Sequence, residues 1–404
     1  MMLARRGAVV TALGLTQTLA WASSYYLPAM LATPMARDLG LSVANVFAAF
    51  SVALLVSALL GPSAGRAIDR WGGKPVLMGS NLIFAAGLAL IATARGPAWL
   101  FAGWALLGVG MGSGLYEAAF ATLVRLYGHQ SRNAIAGVTL FGGFASTVGW
   151  PLSSWLDVQV GWRGACWGWA ALHLLLALPL NALLPKARPL GATPAPAPVS
   201  PALSADASAA APAATPRTAS LRTSLLLSFV FAVTWFSSTA MAAHLPGLLA
   251  AAGATLASAV ALGALVGPAQ VGARLLEFGV LRRVHPLLSA RLAALLHPLG
   301  AAILGLAGLP AAALFVVLHA AGNGILTIAK GTLPLVLFGP TGYGERQGLL
   351  MVPARIAQAL APWLFGLCLE RFGLAALWLT GGLGMLALLA LFMLGSGATS
   401  PPRP

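Results

Sequence analysis

Long apolar runs dominate this sequence and decide what it can fold into. Four clear examples, each with at most one charged side chain, are residues 76–94, 99–124, 164–184 and 374–394. At about 1.5 Å per residue, each run is long enough to cross a hydrocarbon layer of roughly 30 Å as a helix. The 404 residues are 59% hydrophobic and 8% charged, which is too little charge to cover a soluble protein of this length. The sequence therefore predicts an all-α membrane protein.

Twelve spans can be placed along the chain. They lie at residues 9–31, 45–64, 76–94, 98–124, 134–156, 164–184, 224–245, 257–281, 287–308, 311–338, 348–369 and 374–394. The tract between the sixth and seventh spans is rich in Ala, Pro and Ser and cannot bury a core, so we expect a flexible linker there. The predicted organisation is an N-terminal six-helix bundle at 1–184, a cytoplasmic linker at 185–223, a C-terminal six-helix bundle at 224–394 and a cytoplasmic tail at 395–404.

The two halves share unusual residues in matching helices. Gly61 and Pro62 of the second span recur as Gly267 and Pro268 of the eighth, and a proline of the fifth span recurs in the eleventh. Glycine and proline are common in membrane helices, so the order of the matches is more informative than any single match. The order favours two bundles that are repeated in parallel.

The basic residues indicate the orientation of the chain. The net charge is +15, and sixteen of the 23 Lys and Arg residues fall in loops or tails on the side of the N-terminus. The opposite loops carry only Arg37, Arg95, Arg163 and Arg371. The positive-inside rule therefore predicts a multi-pass protein of the plasma membrane, the inner membrane of a bacterium, with both termini in the cytoplasm. Basic residues on separate loops also argue against a nucleic-acid partner and leave lipid as the expected surroundings.

The loop after the second span carries a recognisable motif. It reads Gly65, Arg66, Ala67, Ile68, Asp69, Arg70, Trp71, Gly72, Gly73, Lys74 and Pro75. This pattern of glycine, aspartate, arginine, glycine and a basic residue resembles the loop typical of the major facilitator superfamily (MFS). The resemblance implies the MFS fold of twelve transmembrane helices in two six-helix bundles. It also implies that this loop latches the two halves together in one state, through Gly65, Asp69, Arg70, Gly72 and Lys74.

A second set of residues resembles one branch of that superfamily, the monocarboxylate porters and oxalate exchangers. The set consists of a glycine-rich run from Gly108 to Gly114, followed by Tyr127, Arg132, Gly142, Gly143, Trp150, Pro151, Gly161, Trp162 and Arg163. Proton-driven drug exporters place an arginine where this chain has Trp104, and that departure argues against drug antiport. The resemblance implies a carboxylate substrate bound by basic residues of the eighth and eleventh spans.

Five charged residues lie at membrane depth, where each costs at least about 2.5 kcal/mol and needs an explanation. They are Glu117, Arg274, Glu277, Lys330 and Arg355. Because positive charges outnumber negative ones, a cavity lined by these groups would suit an anion. Arg355 follows a helix-bending proline by two residues and is the first candidate for substrate binding. Arg274 is the second, although it could instead pair with Glu277 one helical turn away.

The remaining candidates are polar groups within the spans. Glu117 and Lys330 come from matched helices and could form a charge pair between the halves or a proton relay, and Glu277 joins them as a possible coupling residue. Tyr25, Tyr26, Gln358 and Asn323 are candidates for substrate contact, as are Gln17 and Trp235, and each could equally be a contact between helices. His244, His297 and His319 could carry protons, since imidazole titrates near neutral pH, but they have no acidic partner in the sequence and are expected to pack.

No phosphate-binding loop, metal-ligand spacing or nucleophile motif is present, so we expect neither an enzyme nor a cofactor. The sequence predicts a secondary transporter that moves a small solute, most simply an organic anion of the monocarboxylate kind, by alternating access across the inner membrane. A coupling proton is a candidate second ligand. The alternative is an efflux pump for drugs or for metalloid species such as arsenite.

Overall fold

The structure, a computed structural model, describes residues 6–127, 131–185, 221–279, 284–338 and 343–394. Regular structure in these ranges is helical, with sixteen α-helices. In the first half these are α1 (Arg6–Ser23), α2 (Pro28–Leu39), α3 (Val43–Trp71), α4 (Gly73–Ala92), α5 (Pro97–Gly114), α6 (Tyr116–Tyr127), α7 (Arg132–Gly142), α8 (Ala145–Leu172) and α9 (Leu178–Ala182). In the second half they are α10 (Leu221–Ala251), α11 (Leu256–Ala264), α12 (Val266–Gly279), α13 (Pro286–Ala307), α14 (Ala312–Phe338), α15 (Tyr343–Phe372) and α16 (Leu377–Met393).

The helices make twelve membrane passes. Nine stretches of the described ranges are long and apolar enough to cross a membrane, and two of them, Gly137–Ala182 and Leu349–Met393, contain 46 and 45 residues. At about 1.5 Å per residue each of these two exceeds twice a hydrocarbon thickness of roughly 30 Å, so each crosses twice. Their turns lie at Gly161, where φ is +72°, and at the 3-10 helix Gly373–Ala376. α1 and α2 together supply the remaining pass.

Several passes are bent where the sequence analysis expected unbroken helices. The first is interrupted between α1 and α2, just before Pro28, because proline has no N–H group to continue the hydrogen-bond ladder. The fourth is interrupted at Leu115, whose extended backbone follows the glycine-rich end of α5. These two bends carry Tyr25 and Tyr116, and they turn both side chains toward the centre of the molecule.

The two ends of the molecule differ in how the halves pack. We call the end where α1 begins and α9 ends the linker end, and the end where α2 meets α3 the far end. At the far end one core contains residues of both halves, for example Phe50 and Trp150 with Leu245 and Phe365. At the linker end the first half has its own core around Leu13, and the second half has a separate one. The halves are therefore joined at the far end and separated at the linker end.

Direct contacts close the far end. The Ala44 N–H at the start of α3 donates to Glu370 Oε1 near the end of α15, at 2.9 Å. The ring of Phe47 lies 3.8 Å from that of His244, measured between centroids, and Thr147 Oγ1 donates to the Ala264 carbonyl at 2.9 Å. Each of these contacts joins one half to the other.

Arg163 organises the far end of the first half. Its guanidinium pairs with Asp38 at the end of α2, and it also donates to the carbonyl of Ala94, at 2.8 Å. The hydrogen bond from Arg163 holds the pKa of the Asp38 carboxyl below its usual value. Gly161 and Trp162 support this clamp, since the glycine allows the turn and the indole ring lies under the guanidinium. Three residues that carried the sequence resemblance thus have a structural role in the fold.

The motif loop between α3 and α4 is a tight junction. Gly72 has a φ of +89°, which favours glycine, and a side chain at Gly73 would overlap Thr122 of α6. Arg125 of α6 donates to the carbonyl of Ile68, at 2.7 Å. The Asp69 side chain lies outside the described set, so the latch role implied for this loop stays a prediction.

The proposed domain limits also stay a prediction. Most of the linker expected at 185–223 and all of the tail expected at 395–404 fall outside the described residues. The last described helix of the first half ends at Ala182, and the first helix of the second half begins at Leu221.

Candidate transport site

A cavity of about 250 Å³ lies between the two halves. One wall comes from the first, second and fourth passes, and the other from the seventh, tenth and eleventh. The lining residues are Trp21, Tyr25, Leu54, Ser57, Ala58, Met111, Leu115, Tyr116, Glu117, Phe120, Trp235, Thr327, Met351, Arg355 and Gln358. A mostly apolar and aromatic wall with a few polar groups is typical of small-molecule sites.

The charged residues in the lining form one ion pair between the halves. Arg355 Nη2 of α15 lies 3.1 Å from Glu117 Oε1 of α6. The two side chains are 46% and 65% exposed, so water reaches both from the linker end, where the halves are apart. Exposed ion pairs of this kind contribute little to stability, about 1 kcal/mol or less. A solute that enters the cavity can therefore compete for either partner.

Aromatic rings form the wall contributed by the first half. The ring centroid of Trp21 lies 5.1 Å from that of Tyr25 and 4.9 Å from that of Tyr116, and Tyr116 stacks on Phe120. The Tyr25 hydroxyl is 2.7 Å from Thr239 Oγ1 of α10, so it links the two halves beside the cavity. These rings offer flat apolar surfaces next to the ion pair.

Two further basic residues lie behind this lining. Arg274 of α12 is buried, adjoins Tyr116 and donates to the Thr139 carbonyl, at 3.1 Å. Lys330 of α14 is also buried, and its Nζ lies 4.1 Å from the ring centroid of Trp235, a cation–π distance. The surroundings of the cavity therefore hold three basic side chains, including Arg355, and one carboxylate, Glu117.

Comparison with known proteins agrees with this architecture. The family model described as "Major Facilitator Superfamily" matches residues 13–333. The chain belongs to the major facilitator superfamily. Proteins of this superfamily are transporters and in general not enzymes.

Individual relatives of this MFS protein differ in their named cargo. It is 33% identical to Monocarboxylate transporter 11 of Mus musculus over 156 residues, which cover 35% of this chain and 34% of that protein. It is 32% identical to Multidrug resistance protein MdtH of Yersinia pestis (strain Pestoides F) over 141 residues, 35% of each chain. The matches thus span about a third of the length of these curated relatives.

A solved structure covers nearly the whole MFS chain. A bacterial homolog of the human lysosomal transporter Spinster, in an inward-facing and occupied conformation, aligns with a TM-score of 0.72 at 16% identity. The alignment covers 98% of this chain and 99% of that one. At this identity the likeness shows a shared fold and nothing about the substrate.

The substrate-binding candidates of the MFS chain are divided between two cavities, except for Arg274, which lines neither. Arg355, Tyr25 and Gln358 line the central cavity, as does Glu117. Tyr26 and Asn323 instead line a smaller cavity of about 10 Å³ between the halves, with Gln270 and His319. Neighbours in sequence, Tyr25 and Tyr26, thus face different spaces. The substrate contacts assigned to all of these residues remain predictions.

The charge pairs differ from those considered in the sequence analysis. Glu117 is bonded to Arg355, and Lys330 stacks on Trp235. The possible pair of Arg274 with Glu277 is not formed in the described part of the chain, where Arg274 Nε and Glu277 Oε2 are both buried without a hydrogen-bond partner. Arg274 turns toward the first half, and Glu277 contributes nothing to the cavity lining.

Tyr116 is a cavity residue that sequence reasoning missed. It lies on the cavity wall between Trp21 and Phe120 and next to Arg274. Its sequence signal was its place two residues after a glycine-rich run and directly before Glu117. Gln17, in contrast, donates to the carbonyl of Gly114, at 2.7 Å, and is a buried contact between helices.

Proposed function

We propose that this MFS transporter moves a small organic anion, and that Arg355 binds the negative charge of the solute. The observation that supports this proposal is the position of Arg355, a cation in the cavity between the halves whose partner, Glu117, is exposed. A carboxylate that enters the cavity can take the place of Glu117 through charge-assisted hydrogen bonds. Arg274, close behind the wall, adds to the positive potential.

The rest of the cavity suits the body of such a solute. Gln358 lies one helical turn from Arg355 on α15, and Tyr25 lies on the opposite wall. Trp21 and Tyr116 supply ring faces for an apolar or planar portion. A small monocarboxylate with a short hydrocarbon or aromatic body fits this combination of one cation, a few hydrogen-bonding groups and apolar walls.

The same contacts suggest how binding is linked to alternating access. The Glu117–Arg355 pair bridges the halves on the side of the cavity that faces the linker end, whereas the far end is closed. A solute anion bound to Arg355 releases Glu117, and the two halves then lose one direct tie. Rearrangement of the halves about the occupied cavity would follow, as expected for rocking-bundle transport.

The second candidate is export of apolar drug-like compounds. It is favoured by the apolar and aromatic part of the lining, which includes Trp21, Phe120, Trp235 and Met351, and by the named activity of the MdtH relative. In this case the ion pair would serve only to hold the halves, and cargo would bind to the ring faces. The two candidates differ in whether the charge of the solute matters.

Matched carboxylates and amides test the proposal. We expect benzoate and lactate to raise the melting temperature of the purified protein, and benzamide and lactamide of the same shape to have no effect. A ligand at one hundred times its Kd stabilises the folded state by about 2.7 kcal/mol, enough for a clear shift. Counterflow of the stabilising acid in proteoliposomes then distinguishes transport from binding. Stabilisation by amides or by ethidium, with none by the acids, would favour the drug-export candidate instead.

We also propose that the linker end faces the cytoplasm of a bacterial cell and that both termini lie there. The support is the excess of Lys and Arg in the loops at this end. Green fluorescent protein fused to the C-terminus should fluoresce, and alkaline phosphatase fused there should be inactive. Phosphatase activity from that fusion would reverse the proposed orientation. A phosphatase inserted after Arg95, in a far-end loop, serves as the positive control.

A further inference from the structure

Two histidines face each other inside the second bundle. His297 of α13 and His319 of α14 are both buried, and their Nδ1 atoms lie 2.9 Å apart. The ring of Phe315 lies beside both, with centroid distances of 5.9 Å and 6.1 Å. The sequence analysis expected both histidines to pack, because neither has an acidic partner in the sequence. The structure joins them by a direct hydrogen bond.

The chemistry of this contact allows the pair to take up one proton. In the neutral pair one ring donates its Nδ1–H to the bare Nδ1 of the other, so the donor ring has a bare Nε2. A proton added to that Nε2 keeps the Nδ1–H···Nδ1 bond and makes it a charge-assisted one, which is stronger. A second proton would place a cation on each ring with two donors facing each other at this distance. The pair is therefore suited to one proton and unsuited to two.

Two small cavities with a few polar groups in their linings adjoin the pair. A cavity of about 40 Å³ borders His297, and within the described chain His297 Nε2 and Ser237 Oγ are buried there without hydrogen-bond partners. Water needs roughly 10–15 Å³ of such space, so water can reach the distal nitrogen. His319 also borders the small cavity between the halves, together with Asn323 and Tyr26. The pair thus lies between a cavity in the interior of the second bundle and a cavity at its interface with the first.

The charged groups around the pair lie elsewhere. Besides the pair itself, the titratable or charged side chains on the helices of the second half are Arg222 and His244 on α10, Arg274 and Glu277 on α12, Arg291 on α13, Lys330 on α14, and Tyr343, Glu345, Arg346, Arg355, Cys368, Glu370 and Arg371 on α15, while α11 and α16 have none. Among the described side chains of this set, none lines either cavity. Tyr26, from the first half, is the other titratable group in the lining. No carboxylate in the described lining competes with the histidines for a proton.

We propose that the His297–His319 pair is the site at which this transporter binds one coupling proton. The inference builds on the assignment of the chain as a secondary transporter and is independent of the charge of its cargo. In the present state the pair is enclosed, and burial disfavours a charged imidazole. The proton is taken up in the alternative state, where the separation of the halves at the far end lets water reach His319 through the small cavity.

The packing of α14 connects the pair to the transport cavity. A side-chain carbon at Gly322 would lie 2.7 Å from the Ala293 carbonyl oxygen of α13, and one at Gly324 would lie 2.8 Å from the Gln270 carbonyl oxygen of α12. The helix backbones are thus in close contact on both sides of Asn323. Thr327, one turn further along α14, lines the central cavity. A shift of α14 on protonation therefore reaches the cargo site.

Histidine-labelled protein in lipid nanodiscs tests the proposal without a substrate. In ¹⁵N spectra we expect two of the six histidines to share an N–H···N bond and to take up one proton between pH 5 and 9. Nitroxides at Arg95→Cys and Ala251→Cys, with Cys166 and Cys368 replaced by alanine, report the far-end distance over the same range. In this doubly labelled protein, the distance distribution should shift with pH at a single midpoint that matches the histidine titration.

His297→Gln and His319→Gln should each abolish that midpoint. His173→Gln, in the first bundle, is the matched control, because His173 is equally buried and is bonded to Ser23 and Asn81; it should keep the midpoint. Melting temperatures identify any variant that fails to fold. In that case the ¹⁵N spectrum of the protein with all six histidines is the test of the proposal. A pair that stays neutral throughout the range would overturn the proposal, as would an unchanged midpoint in folded His297→Gln and His319→Gln.

Discussion

Arg355→Gln is expected to lower the affinity for a carboxylate substrate by roughly 10- to 150-fold. A hydrogen bond to a charged group contributes about 1.5–3 kcal/mol, and each 1.4 kcal/mol is a factor of about ten in affinity. Glutamine keeps a polar side chain of similar reach but has no charge to hold the anion. Counterflow of the most strongly stabilising acid, measured against its concentration, gives the affinity of each variant.

Two controls separate substrate binding from contact between the halves. Arg371→Gln changes an arginine at the far end of the same helix, outside the cavity, and should transport normally. The double variant Glu117→Leu with Arg355→Met replaces the ion pair with an apolar contact between the halves and leaves no cation at this point of the cavity. If Arg355 only ties the halves together, the double variant will recover transport. If Arg355 binds the anion, the double variant will remain inactive. Recovery of transport would therefore contradict the anion site.

Glu117→Gln extends the same argument in the opposite direction. This variant removes the group that competes with the solute for Arg355, so the anion should bind more tightly than to the original protein. Release should be slower for the same reason, and the maximal rate of transport should fall.

Gly263→Leu is expected to shift the transporter away from the present state by roughly 5- to 150-fold. A side chain at Gly263 of α11 would overlap the indole ring of Trp150 on α8, where the halves meet near the far end. Trp150 is fully buried and its Nε1 donates to the Tyr26 carbonyl at 3.2 Å, so the ring cannot turn aside without losing that bond. Overpacking of this kind costs about 1–3 kcal/mol. The cost falls on the state in which α11 and α8 are in contact at this point, which is the far-end-closed state of this structure.

The nitroxide pair at positions 95 and 251 measures this shift directly. Gly263→Leu should populate a longer far-end distance. It should also reduce the maximal transport rate, since the transport cycle requires each end to close in turn. Gly272→Leu is the matched control, because Gly272 lies in the same membrane pass with no atom within 4 Å of an added side chain. Suppose that Gly263→Leu has the expression and melting temperature of the control but an unchanged distance distribution. The contact of Gly263 with Trp150 would then not be part of the far-end closure.

The sequence was sufficient to predict which residues are costly in a membrane and less able to predict what they contact. Arg355 was identified from its charge and its neighbouring proline, and it lies on the cavity wall. Its partner was not identified, because Glu117 is 238 positions away and contacts over such separations depend on how twelve helices pack. Tyr25 and Tyr26 illustrate the same limit, since a bend before Pro28 directs adjacent rings into different cavities.

The sequence by itself determined that lipid surrounds the helices, how many times the chain crosses the membrane and to which superfamily the protein belongs. Each of these follows from the length of the apolar runs, the distribution of basic residues or a local motif, and all are properties of neighbouring residues. Only the tertiary structure decided that the far end is closed, that Glu117 pairs with Arg355 and that His297 meets His319. These features arise from the association of two bundles whose surfaces are both apolar. Alternative ways of packing such surfaces differ little in free energy, and a local sequence pattern does not distinguish between them.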